Sequence, residues 1–243
     1  MKSTASRFRS RQWLILYALH LIIVAVLVRV AVSSPLEESL PPFHEMYTGE
    51  QISYFKELAF GCDPETLEWA PCDADFIVKW CGPVRVGVAG QPSNSDLREI
   101  NRVINQLRLL IRPVEIFRDD SDPNLIIYLV PGDEFGRVRP EFPSARGVVS
   151  VQPDRSGCLF TGDVAVDATR NELVRRSLIR EELTQALGLL KDSWTYSDSI
   201  FYQGQALIET IEFADIDEAV IRLHYDPRIE PGMTETDLEK LGV

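Results

Sequence analysis

Arg180-Glu181-Glu182-Leu183-Thr184-Gln185-Ala186-Leu187-Gly188-Leu189 is the stretch on which the fold turns. At about 100° per residue, Ile179, Leu183, Ala186, Leu187 and Leu190 share one broad arc and form a core-facing side. Val174, Leu178, Glu181 and Gln185 make a second stripe roughly opposite, which faces another layer or a cleft. Glu181 and Gln185 are four apart, so their side chains meet on one face. Gly188 is a natural left-handed stop, with Leu189 able to fold back on Leu183. Upstream, Thr169 and Glu172 have the spacing of a capping box, so the helix is expected from there to Leu187.

Working outward, Leu97, Ile100, Val103, Ile104, Leu107 and Leu110 predict a second amphipathic helix over 96–111, stopped by Pro113. Thr48 and Gln51 cap a shorter one that ends at Gly61. Residues 76–80 and 84–88 read as one strand interrupted around Gly82-Pro83. Further strands are expected at 114–117, 125–130, 146–151 and 163–166, the second apolar throughout and so covered on both faces. Residues 192–212 read as a loop, followed by a helix from Asp215 to His224 and a last capped turn over 234–241. This order predicts an α+β domain: a twisted mixed sheet packed with two or three long helices.

The N-terminus has a different character. Lys2, Arg7, Arg9 and Arg11 precede an apolar run from Trp13 to Val28, the composition of an export signal. With Val30–Val32 the run approaches the roughly 20 residues needed to span a bilayer. A cleaved signal peptide and an uncleaved signal-anchor, held in the membrane by residues 13–32, are both open. Either way the rest is expected outside the cytoplasm, membrane-anchored, periplasmic or secreted. The expected organisation is 1–33 signal or anchor, 34–47 Pro- and Glu-rich linker, and 48–243 one domain.

Without residues 1–33 the chain keeps 20 Lys and Arg against 37 Asp and Glu, a net charge of −17. Phosphate would be repelled, so no nucleic-acid partner is expected. Cys62, Cys72, Cys81 and Cys158 all lie in the exported part, where an even count favours disulfides. Of three possible pairings, Cys62–Cys72 closes a short loop and Cys81–Cys158 ties two strands. No Gly-rich phosphate loop or Gly-x-Ser-x-Gly elbow occurs. Asp120-Ser121-Asp122-Pro123-Asn124 lacks the glycine of a calcium loop and reads as a turn. Of the three histidines, only His224 lies in the folded part, so a three-histidine zinc site cannot be built.

Against that inventory, the opening stretch resembles the metzincin motif His-Glu-x-x-His-x-x-Gly-x-x-His with its ligands exchanged. Glu181, Gln185 and Lys191 stand at the ligand positions, Glu182 at the general base and Gly188 at the turn. Asp198-Ser199-Ile200-Phe201-Tyr202 is similar to a Met-turn, with Phe201 at the methionine position. Arg180–Gly188, Ser199–Phe201, Trp80–Val86 and Tyr225-Asp226-Pro227-Arg228 also resemble a bacterial exported family known only as domain of unknown function 2927, over roughly residues 60–240. The resemblance implies a metzincin-like fold and no known activity. A carboxylate, an amide and an ammonium do not make a zinc site, so no zinc and no other cofactor is expected. The implied site is a remodelled cleft of Glu181, Gln185, Gly188, Lys191, Asp192 and Phe201 that binds a protein or envelope component. The alternative is an atypical hydrolase with Glu182 as base, working through water or a non-zinc metal.

Overall fold

The structure is a computed structural model and describes residues 40–61, 76–132, 134–135, 145–204 and 210–243. The expected signal or anchor, most of the expected linker, and the proposed Cys62–Cys72 bridge lie outside these residues. The chain divides into residues 1–42 and a compact unit 43–243. Among the described residues no helix is long and apolar enough to cross a membrane.

The compact unit opens with a single helical turn, α1 (Phe43–Met46), whose Phe43 is buried, as is Tyr47 after it. Helix α2 (Gly49–Phe60) follows, capped reciprocally by Thr48 and Gln51 as its sequence predicts. The sheet is mixed. Strands β1 (Lys79–Trp80), β2 (Val84–Gly90), β3 (Ile116–Arg118), β4 (Leu125–Val130) and β6 (Cys158–Asp167) run parallel, in the order β1-β6-β4-β2-β3. Strand β5 (Gly147–Pro153) lies antiparallel to β6. Among the described residues it pairs along one edge only.

Helix α3 (Asn94–Leu110) is held at its start by a Ser93/Asp96 capping box. It buries Ile100, Val103, Ile104, Leu107 and Leu110, each worth about 1.5–3 kcal/mol on leaving water. Helix α4 (Glu172–Gln185) carries the opening motif and packs on α3, β5 and β6. Helices α5 (Asp215–His224) and α6 (Glu235–Leu241) complete the unit. The expected α+β class, with a mixed sheet under long helices, is the observed one.

Two expectations need correction. Residues 76–88 are not one strand. Lys79–Trp80 pairs with the start of β6, whereas Val84–Gly90 lies between β3 and β4. The turn through Cys81-Gly82-Pro83 carries the chain between these places, and the Cys81–Cys158 disulfide fastens it to β6. The N-cap of α4 is Asn171, not Thr169, because the Asp167 carboxylate accepts the Thr169 hydroxyl at 2.6 Å. The Asp119–Pro123 segment is the expected turn, with Asp119 accepting from the Ser121 N–H and hydroxyl and the Asp122 N–H.

Cys81 and Cys158 are 77 residues apart, and a closure of that length is worth about 4.5 kcal/mol in the chain-entropy description. Cys81→Ser is expected to cost about 2–5 kcal/mol in urea unfolding of the oxidised protein, and a loss under 1 kcal/mol would contradict this.

Candidate functional site

From Leu178 through Leu189 every residue is buried. The motif therefore runs through the interior, and neighbours satisfy the carbonyls at its end. The Trp80 indole donates to the Ala186 carbonyl at 2.9 Å and the Tyr225 hydroxyl to that of Leu187 at 2.9 Å. Gly188 turns the chain at φ +115° beneath Val78 and His224. His224 sits against the Val78 carbonyl at 3.1 Å, and burial pulls its pKa down to about 3, helped by the Lys79 charge. It is a neutral core histidine. Lys79 donates to the carbonyl of His224 at the end of α5 and to that of Ile229 in the turn beyond it, and burial lowers its ammonium to about 8. Trp80, Gly188 and Tyr225, which carried much of the family resemblance, thus act as the clamp on the motif helix.

The charged residues of the motif diverge. Arg180 is fully buried and turns to α3, where it donates to Glu99 at 2.9 Å and to Gln106 at 2.8 Å while lying 4.5 Å over the Phe213 ring. Glu181 accepts from Gln203 at 2.6 Å, and Gln185 donates to Asp192 at 2.6 Å. Glu182 fits its carboxyl into the clearance left by Gly147, where a β-carbon would fall 2.2 Å from Oε1. Burial pushes that carboxyl well above the usual carboxylate range, reinforced by the charges of Glu181 and Asp192. Lys191 is half-buried, and its N–H donates to the Leu58 carbonyl at 3.3 Å. Among the described residues, no three His, Cys, Asp or Glu side chains are placed to hold a metal ion.

The Ser193–Tyr202 turn is fixed from beneath by Asp217. Its carboxylate accepts from the Ser199 hydroxyl at 2.6 Å, the Ile200 N–H at 3.2 Å and the Ala214 N–H at 2.9 Å. Tyr54 donates to Ser199 at 2.7 Å. Burial raises Asp217 to about 6 in spite of these donors. Phe201 is fully buried in the main core beneath this turn.

Beside the motif lies a cavity of about 320 Å³. Val174, Leu178 and Glu181, the polar-side stripe of α4, form one wall. Arg146 and the residues Ser199, Ile200, Tyr202, Gln203 and Gly204 contribute the others, with Ser177 and Tyr202 adding hydroxyls. Of the expected cleft residues only Glu181 lines this cavity; Gly188 and Phe201 lie in the core, and Gln185 and Asp192 bond to each other. Sequence reasoning missed Arg146, Gly147, Gln203 and Asp217. Ser177 was within reach, being four residues before Glu181 on the same face; nothing local marks the others.

The model of the family described as "Protein of unknown function (DUF2927)" matches residues 50–241, and the chain belongs to that family. No curated protein matches the chain by sequence. Among solved structures, the crystal structure of myroilysin is similar at 10% identity, with a TM-score of 0.42 over 65% of this chain and 89% of that one. At that distance the likeness carries no argument about fold or activity.

Proposed function

We propose that this member of the DUF2927 family is an exported, metzincin-like domain that has left zinc chemistry and works as a non-catalytic binding module for a peptide or envelope component. One observation carries the reading: two of the three side chains at the ligand positions are engaged with other protein groups. Glu181 is bonded by Gln203 and Gln185 by Asp192, instead of both aiming at one point. A carboxylate, an amide and an ammonium also lack the donor chemistry of a zinc site, so these residues do not fit the metal and no step runs through one. The cavity alongside, with Arg146 just before β5 in its wall, offers an extended chain a wall of side chains, and among the described residues β5 pairs along one edge only. Export through residues 1–33, cut or retained as an anchor, would present this face outside the cytoplasm.

Metal analysis of the purified chain tests this. The expected result is no stoichiometric divalent ion. One equivalent bound, and lost on Glu181→Ala, would sink the reading. The second reading is an atypical hydrolase with Glu182 as general base, and what supports it is that burial raises this carboxyl well above the usual carboxylate range. If Glu182→Gln leaves cellular function intact, that second reading goes.

A further inference from the structure

We propose that the cavity beside α4 selects ligands bearing a carboxylate and that Arg146 is the group that holds it. This rests on the binding reading above and names the chemistry of the ligand. Arg146 stands just before β5, exposed, and lines the cavity. Its guanidinium has no bonded partner among the described residues. The arginines around α4 differ in this respect: Arg170 is paired with Asp167, Arg175 with Asp96, and Arg176 and Arg180 with Glu99. In a chain with 37 acids and 25 Lys and Arg, a guanidinium that lines a polar cavity and has no carboxylate partner among the described residues is a ready counter-charge.

The remaining lining suits the same ligand. Ser177, Tyr202 and Thr210 bring hydroxyls that donate to a carboxylate oxygen. The one acid among the described lining residues, Glu181, accepts the Gln203 amide and lies deeper, only 9% exposed. A guanidinium meets a carboxylate through two parallel N–H donors, and a neutral amide forfeits the charge assistance. About 320 Å³ admits a side chain or a chain end rather than a folded surface. The carboxylate is therefore an Asp or Glu side chain of an extended peptide or a free peptide C-terminus.

The structure supplies its own reporter. Trp194 stacks edge-on with the cavity residue Tyr202, with ring centroids 6.5 Å apart. Trp194 emission of the full chain in detergent is titrated with three acetylated seven-residue alanine peptides, and Trp194→Phe identifies the signal. One peptide carries a central Glu and an amidated end, one a central Gln and an amidated end, and one a central Gln and a free acid end. At least one acid-bearing peptide is expected to bind about tenfold more tightly than the neutral one. Whichever does so names the source of the carboxylate. Arg146→Gln should remove the preference, Arg146→Lys should keep part of it, and neither should alter the circular dichroism of the fold. Equal binding of all three peptides, or a preference that survives Arg146→Gln, overturns the carboxylate proposal and leaves peptide binding standing. No binding by any peptide overturns both.

Discussion

Gly188→Ala is expected to lower the stability of the domain by about 3–5 kcal/mol. The position is held at φ +115°, where an L side chain costs roughly 1–2 kcal/mol in backbone strain alone. The added β-carbon would also fall 2.0 Å from the Val78 carbonyl oxygen and 2.8 Å from the His224 ring nitrogen. The backbone oxygen cannot rotate away, so β1 or the end of α4 must shift. Either movement pulls the Leu187 carbonyl from the Tyr225 hydroxyl and the Ala186 carbonyl from the Trp80 indole. For a domain near 200 residues this amounts to a fall in Tm of about 6–20 °C. A variant melting within about 2 °C of the parent would show that the turn has room which the structure denies it.

Glu99→Ala is the second large effect, at about 3–5 kcal/mol. Glu99 is 3% exposed and receives Arg180, Arg176 and Arg102 together. Arg102 and Arg176 are part-exposed and can turn to water, but Arg180 is fully buried and its Nε already lacks a partner among the described residues. Removing Glu99 therefore strands a guanidinium in the interior with Gln106 and the Phe213 ring for company. The expected pattern in urea unfolding is asymmetric: Glu99→Ala alone is severe, and adding Arg180→Met restores much of the loss, because the buried charge goes with its partner. Additive costs in the double variant would contradict this account.

Local signals were read well where local chemistry decides. The Thr48/Gln51 and Thr234/Asp237 boxes cap α2 and α6, and the apolar stripe of α3 meets the core it predicts. The same logic failed at Thr169, because Asp167, two residues earlier, takes the hydroxyl and leaves the cap to Asn171. Residues 76–88 are rich in β-formers, but which strand each half pairs with depends on distant partners, Cys158 for one and Ile116 and Leu125 for the other. The motif helix was recognisable from its spacing and its glycine, whereas the destinations of its charges were not. Arg180 reads as part of a polar helix end until α3 is laid across it. Glu182 stands at the general-base position by resemblance, and only the structure shows its carboxyl going into the clearance left by Gly147. Arg146 and Gln203 come from other segments and reach the cavity only through tertiary structure.

The enclosure of α4 has one more consequence. The stretch Leu178 to Leu189 has no wet side, so its backbone, unlike the exposed first turn of α4 at Glu172 and Leu173, opens when the domain opens and hardly before. Its susceptibility to cleavage is then set by the global unfolding equilibrium rather than by a cheap local excursion. Under the export proposed above, Leu178–Leu189 would resist an extracytoplasmic protease for as long as the domain stays folded.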